Sequence, residues 1–188
     1  LGGYLLGSWP KDQHLFNHIN IDHRNTFLPD GMATDVKAAC RHYEEMILEF
    51  GGIDLQLLGI GADGHIGFNE SLSALRSRTR DKSLAPSTIA VNSTLFKNPA
   101  DMPKRAITMG VGTILDARKI ILLVTGSTKA DIVAKAVEGP ITSMVSASAL
   151  QLHPQCRVVV DEHAAVKLEA QDYYRWIFES EPEWAEFQ

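Results

Sequence analysis

The sequence IDLQLLGIGADGHIGFNE occupies residues 53–70 and decides how the rest of the chain is interpreted. Its first six residues have the apolar character of a buried strand, and four glycines then alternate with ionisable side chains and an amide. A glycine-rich turn lets the backbone approach a ligand closely. In an open parallel sheet, ligands bind beyond the carboxyl ends of the strands. The stretch therefore predicts a ligand site where a parallel strand ends.

Three ionisable residues, Asp63, His65 and Glu70, lie together on this turn. An imidazole titrates near neutral pH and two carboxylates can orient it, so the three are candidates for acid–base catalysis. The alternative is a structural turn, because Asp-Gly pairs are common in turns and a single histidine after one is usually structural. The combination of strand, glycines and three ionisable groups in so short a span favours a site.

Apolar patterns outside the turn predict alternating strands and helices. Strands are expected at residues 53–58, 106–109, 119–125 and 157–160, and helices at residues 34–50, 129–137 and 164–178. We expect Thr34 to be the N-cap of the first helix. The alternation predicts an α/β fold with an open, mainly parallel sheet and helices on both faces. We predict one domain over residues 1–188, with the irregular region 74–103 as a lid.

The composition argues against several classes of protein. Its 18 basic and 23 acidic side chains give a net charge of −5, which disfavours a nucleic-acid-binding face. No apolar run is long enough to cross a bilayer and no signal peptide is visible, so no membrane partner is expected. Cys40 and Cys156 lack the spacing of a metal or redox motif, which predicts reduced thiols and a cytoplasmic location.

The glycine turn resembles the signature G-x-G-x-D-G-H-I-A-F-N-E-P of the glucosamine-6-phosphate deaminase family, departing from it at Gly67 and Ser71. The resemblance continues, in the family's order and nearly its spacing, through residues 77–80, 109–117, 125–130 and 150–154. It implies a Rossmann-like fold of the sugar-phosphate isomerase type. It also implies conversion of glucosamine 6-phosphate and water to fructose 6-phosphate and ammonia, with no metal and no organic cofactor.

The resemblance implies roles for the residues of the turn and for one lysine. His65 would open the sugar ring, and Asp63 and Glu70 would orient it. Gly59 and Gly61 would give the sugar room against the backbone. Lys129 follows Gly126-Ser127-Thr128 at the predicted start of a helix, where backbone amides favour an anion. The resemblance assigns Lys129 to the sugar phosphate.

A second site is implied in the predicted lid. Arg80 and Lys82 resemble the family's allosteric phosphate site, although Ala74 stands where that site has a serine. The alternative is that these two cations are simply solvated on a loop.

The chain departs from the family at two further positions. The family has an Asp-Glu-Tyr motif whose aspartate is the base at carbon 2 of the sugar, whereas Gly2 and Gly3 precede Tyr4 here. Thr94 stands where the family has an arginine that helps to hold the phosphate. We therefore expect slow turnover. The chain also begins about a quarter of the way into the family pattern, and uncovered apolar surface would then favour homo-oligomers.

Two other functions stay open. Sugar-phosphate lactonases of the 6-phosphogluconolactonase type resemble the Gly-Asp-Gly-His turn, but not its continuation Phe68-Asn69-Glu70. A non-catalytic sugar-phosphate-binding module is favoured by Gly2, Gly3 and Thr94, since these positions lack the family's reactive side chains.

Overall fold

The computed structural model describes residues 3–5, 16–96 and 98–187. Its strands are β1 (Gly3–Leu5), β2 (Leu55–Leu58), β3 (Arg80–Ser83), β4 (Arg105–Thr108), β5 (Lys119–Val124) and β6 (Cys156–Val160). Its helices are α1 (Val36–Glu49), α2 (Pro86–Ser93), α3 (Val111–Leu115), α4 (Ala130–Val137), α5 (Glu162–Ala165) and α6 (Gln171–Ser180). None of the helices in these ranges has both the length and the apolarity to cross a bilayer.

The parallel sheet has the order β2-β5-β6 and confirms the α/β class predicted from the sequence. Alternate residues of β5, namely Ile120, Leu122 and Val124, are buried in the main apolar core. Helices α3, α4 and α5 add buried side chains to the same core. Because the strands run in parallel, their carboxyl ends share one edge of the sheet, where the glycine turn begins.

The opposite face of this sheet is apolar but less covered. Its side chains Leu55, Leu57, Leu123 and Val159 are each about half exposed. The register pairs Leu57 with Ile121 and Leu123 with Val159, so these residues share a face, which we call the open face. The cation of Arg157, 5.2 Å from the ring centre of Trp184, lies where the C-terminal turn contacts this sheet.

A second sheet, with the order β1-β4-β3, is antiparallel throughout. The predicted strand at residues 106–109 therefore exists as β4, but it lies in this sheet and not in the parallel one. Its partner β3 and helix α2 both fall within the region 74–103, which the sequence predicted to be irregular. This region is thus ordered locally, and its action as a lid stays a prediction.

The predicted helices form, with two corrections. The cap of α1 is Asp35 and not Thr34, since the Asp35 carboxylate accepts a 2.9 Å hydrogen bond from the Ala38 amide. The expected helix at residues 164–178 is two helices, α5 and α6. The backbone amides of Glu169 and Ala170 donate to the distant carboxylate of Glu138, at 2.9 and 3.0 Å, and these bonds fix the start of α6. Cys40 and Cys156 are not joined by a disulfide, Cys40 being buried and Cys156 half-buried, and their reduced state in the cell stays a prediction.

Candidate active site

The glycine turn follows β2 directly and is closed by its own backbone. The amide of Gly61 donates to the carbonyl of His65 at 2.8 Å, and that of Gly64 donates to Gly61 at 3.1 Å. Gly64 has a φ of +87°. A Cβ at Gly64 would lie 2.6 Å from a methyl group of Val145. Only glycine fits this position, since both its backbone conformation and the packing exclude a side chain.

The turn brings the three predicted acid–base residues together. The His65 Nδ1 atom lies 2.6 Å from Asp63 Oδ1 and 3.5 Å from Glu70 Oε2. The His65 side chain is 13% exposed, so it is largely shielded but still reaches the surface. The backbone amide of His65 also donates to Asp63 Oδ1, at 3.3 Å. The imidazole is therefore held between two carboxylates, one partly exposed and one buried.

The electrostatic environment keeps Asp63 ionised. Burial alone would raise the pKa of Asp63, but the charge of the neighbouring His65 and the hydrogen bond from its backbone amide outweigh that effect, and the pKa lies below its usual value. Asp63 is thus a carboxylate across the neutral range and can stabilise a protonated imidazole.

Glu70 is buried and divides its two oxygens between different partners. Oε1 accepts a 3.0 Å hydrogen bond from the Ala85 amide at the start of α2. Oε2 faces His65 and has no hydrogen-bond partner, and neither has His65 Nδ1. The short approach of Nδ1 to Asp63 is thus close in distance but not aligned as a hydrogen bond.

His65 lines a cavity of about 510 Å³ at the carboxyl end of β2, and this cavity extends over Leu57 and Leu123 of the open face. Gly59 lines this cavity, and a Cβ added there would meet nothing within 4 Å. Gly61 also lines the cavity, but the space that its side chain would fill is taken by the histidine ring, since a Cβ there would be 2.4 Å from His65 Cε1. The room provided by Gly61 is therefore used by the histidine.

Lys129 is brought to the turn from a distant part of the chain. Its Nζ atom donates a 2.8 Å hydrogen bond to the carbonyl of Ile60, which lies between the two glycines. The loop before Lys129 is fixed by Asp161, whose carboxylate accepts from the Gly126 amide at 3.0 Å. Lys129 thus places a positive charge beside the cavity, as phosphate binding would require.

The predicted allosteric residues lie on β3, outside the cavity. Arg80 is half-buried, and desolvation lowers the pKa of its guanidinium despite the opposing charge of Asp81. Its Nη1 atom donates to Asn69 Oδ1 at 2.9 Å. Lys82 is two residues further along the same strand. Arg80 and Lys82 pair with Thr108 and Ala106 of β4. Ala74 is exposed on the preceding loop.

Sequence reasoning missed the part played by Asn69. Its side chain is fully buried, and its Nδ2 atom donates to the carbonyls of Ile66 and Met109 at 2.9 and 2.8 Å. Asn69 therefore joins the turn to the end of β4 and to Arg80. The position of Asn69 inside the glycine motif was the one feature of the sequence that could have indicated its importance. Asn92 of α2 also lines the cavity, and no pattern in the sequence points to it.

Of Gly2, Gly3 and Thr94, where the chain lacks the family's reactive side chains, only Thr94 has a described side chain. The Thr94 hydroxyl donates to the Val91 carbonyl at 2.9 Å, at the end of α2. Its donor is thus already used within the helix. Gly2 and the side chain of Tyr4 lie outside the described part of the chain, and the backbone of Gly3 begins β1.

Known proteins are similar to this chain over most of its length. Residues 11–161 match the family model described as glucosamine-6-phosphate isomerases/6-phosphogluconolactonase. A curated glucosamine-6-phosphate deaminase of Hahella chejuensis is 55% identical over 165 residues, which are 88% of this chain and 63% of the relative. This chain therefore spans less than two-thirds of that relative's length.

Solved structures are also similar to this chain over most of its length. A glucosamine-6-phosphate deaminase described as monomeric has a TM-score of 0.84 and 38% identity, over 88% of this chain and 73% of the other. A 6-phosphogluconolactonase of Trypanosoma brucei has a TM-score of 0.63 and 20% identity, over 89% of this chain and 73% of the other. The second similarity concerns the fold alone.

Proposed function

Because this chain belongs to the family of glucosamine-6-phosphate isomerases and 6-phosphogluconolactonases, we propose that it acts as a glucosamine-6-phosphate deaminase. The substrate would be glucosamine 6-phosphate, and the products fructose 6-phosphate and ammonia. The single observation that carries the proposal is the contact of His65 with Asp63 and Glu70 at the edge of an open cavity. The 55% identity to a curated deaminase supports the choice of reaction.

In this mechanism His65 opens the sugar ring. It accepts the proton of the hydroxyl at carbon 1 and delivers a proton to the ring oxygen, so the ring C–O bond breaks and an aldehyde forms. Asp63 stabilises the imidazolium that exists between the two transfers, since it stays ionised. Glu70 holds the ring from its buried side. The proton of carbon 2 then moves to carbon 1 while a proton of the amine moves to the aldehyde oxygen, which leaves a hydroxyl at carbon 1 and an imine at carbon 2. Water adds to this imine and ammonia leaves, so that carbon 2 becomes the ketone of fructose 6-phosphate.

Lys129 would bind the phosphate of the substrate. Its bond to the Ile60 carbonyl places its ammonium beside Gly59 and Gly61, where the turn meets the cavity. Thr94 supplies no charge, so Lys129 would carry more of the phosphate affinity than it does in proteins that also have the arginine.

Arg80 and Lys82 form a second proposed anion site, regulatory in role. The hydrogen bond of Arg80 to Asn69 supports this proposal, because Asn69 also contacts the carbonyl of Ile66 in the catalytic turn. An anion that moved Arg80 would thereby act on the turn that holds His65. Such an effect would require two conformations, one with the contact between Arg80 and Asn69 and one without it, to which the anion binds with different affinity.

The proposal is tested by measuring ammonia release from glucosamine 6-phosphate. We expect slow turnover by this chain and a further loss of at least about 100-fold in His65→Ala, the usual size of an acid–base contribution. His42→Ala removes an exposed histidine of α1 and should change nothing. Equal rates for the chain and its His65→Ala variant would reject the role of His65.

Three further measurements separate the alternatives. Gly2→Asp supplies a carboxylate where the family has its base and should raise turnover by about 100-fold. A non-catalytic module would bind the sugar phosphate in a calorimeter but release no ammonia in either form. A lactonase would instead hydrolyse 6-phosphogluconolactone faster than it deaminates the amino sugar.

We further propose that the protein is cytoplasmic and that this chain self-associates. The free thiols of Cys40 and Cys156 support the first proposal, since such thiols are typical of reducing compartments. The open face supports the second. The similar deaminase described as monomeric makes association a property to be tested for this chain.

A further inference from the structure

Two buried polar atoms at the site lack hydrogen-bond partners, and they face each other. They are His65 Nδ1 and Glu70 Oε2, 3.5 Å apart. The Glu70 side chain is only 7% exposed, so water cannot readily satisfy its free oxygen. An unpaired buried carboxylate oxygen is costly. A proton shared between the groups would relieve the cost, and so would a cation.

We propose that Asp63, His65 and Glu70 bind a Zn²⁺ ion when no sugar phosphate occupies the cavity. Two ligands held about 2.0–2.2 Å from a tetrahedral Zn²⁺ lie about 3.4 Å apart. This is close to the observed 3.5 Å between Nδ1 and Oε2. Asp63 Oδ1, now 2.6 Å from Nδ1, must withdraw slightly to become the third ligand. Its side chain is 34% exposed and has space to do so.

The donor set matches Zn²⁺ in chemistry as well as spacing. One imidazole nitrogen and two carboxylates are typical ligands of a zinc site that keeps an open position. One donor atom from each residue falls within 4.8 Å of the others, and no other group of histidines, cysteines and acids in the described ranges converges in this way. The dication would also neutralise two carboxylates in a partly buried site.

Zinc binding would inhibit the reaction, a consequence that rests on the proposed function. A metal on Nδ1 confines the imidazole's proton to Nε2, so His65 could no longer pass through the doubly protonated state. Substrate and Zn²⁺ would then exclude each other at the cavity. The binding itself is independent of turnover and can be measured on an inactive chain.

Isothermal titration of the purified chain with Zn²⁺ tests the site. We expect one ion per chain, with affinity weakened at least about 100-fold in Glu70→Gln and His65→Ala, because loss of even an outer partner costs about 10- to 100-fold. Glu70→Gln is nearly isosteric and keeps an oxygen for the Ala85 amide, so it should fold. Thermal melting without metal checks that it does.

Control variants change residues outside the proposed site whose side chains are also able to bind zinc. His42→Ala and Cys156→Ser should bind like the parent chain. Loss of zinc in Cys156→Ser with retention in Glu70→Gln would place the ion elsewhere and overturn the proposal, as would the absence of binding in the parent. Co²⁺ provides a second readout, since its visible bands in a tetrahedral site should disappear in Glu70→Gln. Zinc binding without any deamination would leave this inference standing and reject the proposed reaction.

Discussion

At the scale of single residues, Gly61 is the position most sensitive to a small change. A methyl group there would overlap the His65 ring, whose Cε1 atom would be 2.4 Å away. The ring would have to leave its place between Asp63 and Glu70. We expect Gly61→Ala to reduce ammonia release by about 100-fold, the cost of misplacing a catalytic group by about 1 Å.

Gly59→Ala is the matched control. It adds the same methyl group to the same turn, where nothing lies within 4 Å. Its thermal melting temperature should stay close to that of the parent chain. Because Gly59 lines the cavity, the added methyl group should raise KM more than it lowers kcat, whereas Gly61→Ala should lower kcat. If Gly59→Ala were as inactive as Gly61→Ala, the turn would be intolerant of any side chain and the specific contact with His65 would not explain the loss.

The sequence could predict some contacts of this site but not others. Asp63, His65 and Glu70 are close in sequence, so a single turn brings them into contact. The bonds of Lys129 to Ile60 and of Arg80 to Asn69 join distant segments, and the first depends on strand order. The contact of Glu70 with the Ala85 amide depends on where α2 begins. The residues of each segment, taken alone, do not indicate which distant segment they will contact.

At the scale of secondary-structure elements, Glu44 links α1 to α3 and to the segment just before β3. Its carboxylate accepts hydrogen bonds from the Thr79 amide at 2.7 Å, the Thr113 hydroxyl at 2.6 Å and Arg78 Nη2 at 2.6 Å. The side chain is 15% exposed. We expect Glu44→Gln to lower the free energy of unfolding by about 2 kcal/mol at pH 7, typical of hydrogen bonds to a charged group. Urea denaturation measures this change.

The effect of Glu44 should disappear in acid. Burial alone would raise its pKa, but the bonds from Thr113, Thr79 and Arg78 outweigh burial and the folded pKa lies below 4.5. A lowered carboxylate pKa stabilises the fold above the unfolded pKa, and this contribution is lost as pH falls through the folded value. The gap between the parent and Glu44→Gln should therefore be complete at neutral pH and shrink below about pH 4.5. Glu45→Gln, at the exposed neighbouring position, is the control; a gap unchanged down to pH 3 would contradict the assignment.

Elements with a strong local pattern were predictable, and elements defined by distant partners were not. The apolar stripe of α1 and the apolar run of β5 appear in the sequence, and both form where expected. The break between α5 and α6 does not appear, because the carboxylate that binds the amides at the start of α6 belongs to Glu138, at the distant end of α4. Strand β3 is polar and short, and only its pairing with β4 makes it a strand.

At the scale of the whole molecule, alternating strands and helices indicated the α/β class but not the division into two sheets. Periodicity describes one segment at a time, whereas pairing depends on which edges meet. The predicted strand at 106–109 has the apolar character of a buried parallel strand, yet β4 pairs antiparallel with β1 and β3. Its buried residues Ala106 and Ile107 are explained equally well by either arrangement.

The open face leads to the last prediction, on association. Leu55, Leu57, Leu123 and Val159 form a contiguous apolar surface that is about half exposed. Contiguous apolar surface favours association. We expect the average mass of this chain in analytical ultracentrifugation to rise with concentration. Val159→Lys should suppress that rise, because a charge on the face would have to be desolvated.

Val166→Lys is the matched control. It makes the same change at an exposed valine just after α5, away from the open face, and should not suppress the rise. A parent chain that sediments as a monomer at every concentration, or equal effects of the two lysines, would show that the open face does not drive association.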